Sequence, residues 1–428
     1  MRQHLRSPAG EHGWAPVVLT ATLFFLIGFV TWLNGPLISF VRVAFTLDDA
    51  SAFLVPFAFY ISYFFFAVPA ALAVRATGLK RGLALALVIM ACGSALFGQF
   101  LTERAYPGAL CGLTVLGAGL ALLQVSVNPY VSLLGPPDRA AQRIAIMGLC
   151  NKGAGILAPI VLAVLVMHDI GGVVARAQAA TDVATREAIL SRFAHAVHAP
   201  ALCMAGLELL AAVWVVRSRL PDLAAPDIAV SGSLGGLLSR PRLVFGAAAM
   251  FVYVGVEVMA GDAIGTYGQG FGLPIDQTKF FTALTLSAMM AGYAAGMVLV
   301  PRVVDQERYL GLSCLLGIAL TLMAFATHGY VSVLCVAALG FANAMMFPAI
   351  FPIAIAGSGR DTPLAAALLV MAFSGGALVP QMFVWLKAAF GFQGVFATLM
   401  IPSYLFILLY ARLASATRST DSVRAATA

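Results

Sequence analysis

The stretch WAPVVLTATLFFLIGFVTWLNGPLISF, residues 14–40, carries no charged side chain. A hydrocarbon core about 30 Å thick is crossed by roughly 20 apolar residues in a helix, so this run is long enough to span a bilayer. Only MRQHLRSPAGEHG precedes it and no small-residue cleavage site follows, so it reads as a retained span rather than a signal peptide. Runs of the same kind recur along the chain. Twelve spans are expected, near residues 14–40, 51–74, 83–101, 108–134, 144–167 and 200–216, then 243–271, 280–300, 309–327, 330–356, 363–386 and 392–414. The composition agrees: of 428 residues 61% are hydrophobic and 10% charged, with a mean hydropathy of +0.96. A soluble domain carries about 25% charged residues. A soluble globule, a disordered chain, a disulfide scaffold and a nucleic-acid binder are all excluded. The six cysteines sit in apolar runs without CxxC or zinc spacing and read as small buried hydrophobes.

An even number of spans puts both termini on one side. Well over half of the 25 Lys and Arg fall in the termini and the loops on that same side, which predicts cytoplasmic termini in a bacterial inner membrane. The polar stretch 217–242, with Pro221, Pro226 and Pro241, divides the chain into a six-span bundle over 1–216 and another over 243–428. Segment 168–198 has apolar residues at helical spacing. It either lies along the outer interface or packs on the bundle.

The halves repeat faintly at an offset close to half the chain. Gly155–Pro159 (GILAP) answers Gly376–Pro380 (GALVP), the PYVSLLG beginning at Pro129 answers the PIAIAG beginning at Pro352, and Arg75 answers Arg302. Two parallel six-helix repeats place a substrate site between the halves near the midplane.

Ionisable side chains inside a span cost about 2.5–3.5 kcal/mol each even on insertion scales, so the few present need a reason. Tyr and Cys aside, they are Lys152, Glu208, Glu257 and Asp262; the amides Asn34, Gln124, Asn128, Asn151, Asn343 and Gln381 join them. Gln124 and Asn128, four residues apart, share one helix face. Asn34 precedes Gly35-Pro36, where span 1 should kink. Glu257 follows Asn34 at the repeat offset, which favours a central position for it. Asp262 lies five residues further, roughly 140° around the helix, and is expected nearer the outer mouth. Glu208, in GLELL, reads as structural. Lys152 either neutralises Glu257 or binds substrate hydroxyls itself. The aromatic rings of Trp32, Tyr60, Tyr63, Tyr253, Tyr267 and Trp385 would suit the apolar faces of a sugar, although packing and interface belts use the same residues. Amides, equally, tie membrane helices together without touching substrate. The six histidines lie in tails, loops and span ends, which argues against a metal site. No nucleotide loop or hydrolase signature occurs, so neither an ATP-driven pump nor an enzyme is expected, and no cofactor.

Several strings carry a resemblance. FFLIGFVTWLNGPL (24–37), FAFYISYF (57–64), LLQVSVNPYVSLLGP (122–136), RIAIMGLCNKGAG (143–155) and FVYVGVEVMAGDAIGTYG (251–268) resemble the fucose–galactose–glucose:proton symporters of the major facilitator superfamily, and within them the bacterial glucose/galactose branch. The resemblance implies an all-α fold of twelve transmembrane helices in two six-helix bundles. It also implies a monomer in the lipid bilayer that imports a hexose by alternating access with a proton or sodium ion. Substrate contacts would come from Trp32, Asn34, Gln124, Asn128, Asn151, Lys152, Asn343 and Gln381, and coupling from Glu257 and Asp262. The L-fucose permeases of that family place an Asp after the Leu-Asn of span 1 and a Glu in span 4. Here those positions hold Gly35 and Gln124. The LKRG after Arg75 resembles the superfamily's basic loop, with Val74 in place of its usual Asp. Readings weighed beside symport are an uncoupled facilitator, a carrier of fructose, fucose or N-acetylglucosamine, drug efflux, and a transporter-shaped sensor, for which the tails are short.

Overall fold

The computed structural model describes residues 15–133, 140–218, 234–300, 303–356, 358 and 361–427. The N-terminal tail, residues 134–136, Arg302 and most of segment 217–242 lie outside the described residues. Among those described, every regular element is a helix, and twelve stretches are long and apolar enough to cross a membrane. Spans 1 to 6 are Pro16–Ala44, Asp49–Thr77, Leu79–Thr102, Tyr106–Asn128, Ile146–Leu165 and Val183–Arg217. Spans 7 to 12 are Pro241–Gly261, Ile275–Leu299, Gln306–Ala326, Gly329–Ile355, Leu364–Phe390 and Phe392–Ala416. Because the spans are even in number, span 1 begins and span 12 ends on the same face, here the terminal face.

The spans form two six-helix bundles. In the first, span 4 packs on spans 2 and 3, span 1 on span 5, and span 6 on span 3. In the second, span 12 packs on span 9, span 10 on spans 8 and 9, and span 11 on span 7. The bundles meet mainly through span 5 against span 8 and span 2 against span 11. A repeat that maps the first six spans onto the last six exchanges these two contacts, so the seam itself has the two-fold pattern of the duplicated sequence.

Several spans are interrupted, and the breaks in spans 1, 7, 10 and 11 bear on the site. Span 1 divides into Ala15–Trp32 and Asn34–Ala44, because the Pro36 ring has no N–H to give and crowds the carbonyl four residues back. Span 10 divides into Gly329–Asn343 and Met346–Ile355, two residues before Pro348. Span 11 passes through a 3₁₀ turn at Ala372–Ser374 ahead of Gly375-Gly376. Span 7 was expected to run unbroken to residue 271. It ends instead at Gly261 and resumes as Ile264–Gln269, with Asp262 and Ala263 at the joint and both of their N–H groups directed to the Val258 carbonyl.

Segment 168–198 packs on the bundle. Its helices Ile170–Ala179 and Val183–His195 bury Ile170, Leu190, Phe193 and Ala194, and the Phe193 ring lies 4.8 Å from that of Phe40. Asp182 caps the second helix by accepting from the Thr185 N–H at 3.1 Å.

Candidate functional site

A cavity of about 110 Å³ lies between the bundles. The first half contributes Trp32, Tyr60, Tyr63, Gln124, Asn128, Asn151 and Lys152 to its lining; the second contributes Tyr253, Glu257, Tyr293, Phe347 and Phe373. The lining residues of span 1 run from Phe24 to Trp32, and those of span 7 stop at Glu257. The cavity therefore lies on the terminal side of Trp32.

Its central feature is an ion pair across the seam. Lys152 Nζ of span 5 donates to Glu257 Oε1 of span 7 at 2.9 Å, with side chains only 8% and 12% exposed. The same ammonium stands 4.5 Å from the centre of the Trp32 ring, a cation–π arrangement. Lys152 thus neutralises Glu257, the first of the two roles the sequence left open, while still lining the cavity. Trp32 itself is wedged between two glycines. A Cβ on Gly155 or on Gly261 would lie 2.5 Å from its ring, closer than side-chain atoms approach. Any larger residue in span 5 or span 7 would push the indole out of place.

Amides and phenols furnish the remaining polar surface. Asn128 Nδ2 faces Gln124 Oε1 at 3.4 Å, as their four-residue spacing requires. Asn151 Nδ2 reaches the Phe24 carbonyl of span 1 at 3.4 Å. Tyr60 and Tyr63 stack with ring centres 6.2 Å apart, and Tyr63 meets Phe373 of the other half at 5.4 Å. These groups offer hydrogen-bond donors and acceptors between flat apolar walls. That surface matches a ligand with hydroxyls around its edge and C–H bonds on its faces.

The other candidate amides lie elsewhere, which corrects the expectation that all six face one chamber. Asn34 is buried and donates to the Thr31 carbonyl at 3.0 Å, satisfying backbone freed at the span 1 break. Two residues past Trp32 it is roughly 200° around the helix, and it faces a separate apolar cavity of about 230 Å³ inside the first bundle. Asn343 accepts from the Tyr404 hydroxyl at 2.8 Å and ties span 10 to span 12. Gln381 donates to the Ala50 carbonyl at 3.0 Å, joining span 11 to span 2. Asp262 is buried outside the cavity. Glu208 accepts from Ser94 Oγ at 2.8 Å within the first bundle. Among the aromatics, Tyr267 packs instead with Ser332, hydroxyl to hydroxyl at 2.7 Å, and Trp385 is 62% exposed. Tyr293, Phe347 and Phe373 were not anticipated. Tyr293, a phenol flanked by small residues in AGYAAG, gives the same kind of signal as Tyr63. Nothing in the local sequence distinguishes Phe373.

Away from the terminal face, polar joints hold the halves together. Asp49 at the start of span 2 pairs with Arg42 at 2.8 Å and with Lys387 of span 11. Lys279 at the start of span 8 donates to the Met167 carbonyl at 2.7 Å while pairing with Asp276 at 2.9 Å.

The family model described as Major Facilitator Superfamily matches residues 20–380. The chain belongs to this superfamily. Among facilitator-family relatives, it is similar to the glucose/galactose transporter of Brucella abortus biovar 1 (strain 9-941), 32% identical with 95% of each chain covered. The putative glucose/galactose transporter of Helicobacter pylori (strain ATCC 700392 / 26695) is 30% identical over 85% of this chain and 86% of the relative. Among solved facilitator structures, that of FucP in the outward conformation has a TM-score of 0.75. The two chains are 24% identical, over 93% of this one and 98% of FucP, and the likeness is one of fold.

Proposed function

We propose that this superfamily member imports hexoses of the glucose/galactose type across the bacterial inner membrane as a proton-coupled monomer, with both termini cytoplasmic. Residues 1–216 and 243–428 are the two bodies that rock, joined by 217–242. The observation that carries the reading is the Lys152–Glu257 pair, set between the bundles in a cavity walled by aromatic rings and amides. Sugar hydroxyls take amide and carboxylate partners while ring faces stack on the C–H faces. Relatives named glucose/galactose transporter, at 30% identity or more over most of the chain, support the substrate class. The L-fucose-proton symporter of Escherichia coli (strain K12), 26% identical over 94% of this chain, supports the coupling ion.

Alternating access follows from where the contacts lie. The cavity sits on the terminal side of Trp32, and the joints at Asp49, Gln381 and Lys279 close the other side. Opening those joints while the terminal side closes would expose the same residues to the opposite compartment. Glu257 and Asp262 are the carboxyl groups available to couple that motion to an ion. In proteoliposomes, labelled glucose should accumulate under an imposed inward proton gradient, not under sodium, and unlabelled galactose should compete. Equilibration without accumulation would make the protein a facilitator. Competition by fructose, fucose or N-acetylglucosamine but not by glucose or galactose would overturn the substrate class.

A further inference from the structure

Asp262 is the buried ionisable group the cavity leaves unused. It sits at the span 7 break, 1% exposed, and neither carboxyl oxygen has a hydrogen-bond partner among the described residues. On one side Gly261 presses on Trp32, so the ring stands between this joint and the cavity. On the other, span 1 of the first half approaches so closely that a Cβ on Gly35 would lie 3.2 Å from Asp262 Oδ1 and 2.4 Å from Thr282 Oγ1. The carboxyl is therefore enclosed in the seam between the bundles.

Each element around it contributes a definable group. Span 7 contributes Glu257, span 5 Lys152 and span 2 the Tyr60 phenol. Span 8 offers the Thr282 hydroxyl and span 1 the backbone at Gly35. Lys152, the one cation of this set, is engaged at 2.9 Å with Glu257, and that pair sums to zero charge. An ionised carboxylate here would have only the Gly35 backbone and a share of the Lys152 charge already given to Glu257 to set against its burial, a deficit that costs several kcal/mol. A neutral carboxylic acid avoids that penalty.

We propose that Asp262 is the group that carries the proton through closure of the seam. It binds the proton when the halves part on the side away from the termini, and it stays neutral while buried behind Trp32 with the seam closed. Delivery goes by way of Glu257. Once the joint loosens and Trp32 no longer separates the two carboxyls, the Asp262 O–H bond breaks as an O–H bond forms on the Glu257 carboxylate, so the charge of the Asp262, Glu257 and Lys152 group stays at zero. Neutral Glu257 lets go of Lys152, then loses the proton to cavity water. The anion left at Asp262 disfavours the closed seam and drives the return. This assignment rests on the symport reading.

Two measurements on the full-length protein test it. In proteoliposomes, Asp262→Asn should reduce proton-driven glucose accumulation to the equilibrium level and flatten its pH dependence, while glucose exchange between equal pools falls at least tenfold less. Infrared spectra of the wild-type protein, labelled with ¹³C-carboxyl aspartate or glutamate, need no mutation. A protonated-carboxyl band that persists at neutral pH should move with the aspartate label. Accumulation by Asp262→Asn, or no band sensitive to labelled aspartate, overturns the proposal. A wild-type protein that neither accumulates nor exchanges hexose would instead sink the symport reading, with the labelled band still deciding the state of Asp262.

Discussion

Separating the two members of the Lys152–Glu257 pair gives the sharpest test of the site. Both side chains are almost buried and 2.9 Å apart, so removing either leaves a charge with no counter-ion, a loss of about 3–5 kcal/mol. Removing both together leaves two neutral groups of similar volume and should cost much less, on the order of 1 kcal/mol. The two single variants should also differ from each other. Lys152→Met gives up the ammonium over the Trp32 ring, worth about 0.5–2 kcal/mol, which Glu257→Gln retains. The expected order of stability is therefore wild type, the double variant, Glu257→Gln, then Lys152→Met. The coupling energy of the cycle should exceed about 2 kcal/mol, the signature of groups in direct contact. Melting of purified protein in detergent, followed by tryptophan fluorescence, reads the stability. Labelled glucose binding reads the site, where tenfold in affinity corresponds to about 1.4 kcal/mol. Additive losses in the double variant would refute the idea that the pair acts as one unit joining the halves.

Tyr404→Phe removes the hydroxyl that donates to Asn343 Oδ1 and leaves that buried oxygen unpaired. It should cost about 1–3 kcal/mol of stability with glucose affinity within about twofold of wild type; a large affinity loss would return Asn343 to the substrate contacts. Asp49→Asn deletes the ionic joint to Arg42 and Lys387, part-buried pairs each worth on the order of 1 kcal/mol. Labelling of Ala52→Cys, a position buried at that joint, by a water-soluble maleimide should then rise several-fold, and an unchanged rate would show that the joint does not hold that side shut.

The spans were legible because an apolar run long enough to cross a bilayer has few other uses in a chain with so little charge. The break in span 1 was legible because Gly35-Pro36 cannot continue a helix ladder. The break at Asp262 was not, since Gly261-Asp262-Ala263 contains no proline, and the joint is recognisable only from the folded seam, where Trp32 and span 1 pack beside it. At the site, residue type told which side chains needed partners but not which partners they had. Lys152 and Glu257 lie in different halves, and only the folded seam brings them together. Asn343 and Gln381 found structural partners in Tyr404 and the Ala50 carbonyl. The turn of the helix would have separated Asn34 from Trp32, because two residues of advance reverse the facing direction. Phe347 and Phe373 were hidden because phenylalanine is common on every face of a membrane helix.

The slot that receives Trp32 has one wall from its own bundle, at Gly155, and one from the other, at Gly261. An indole held this way behaves as an axle seated in a bearing that both moving bodies share. The bundles can tilt about it while the ring keeps its place between the two glycines. Trimming or enlarging the axle should therefore change the speed of the carrier's swing as well as its grip on cargo, because the same ring walls the cavity.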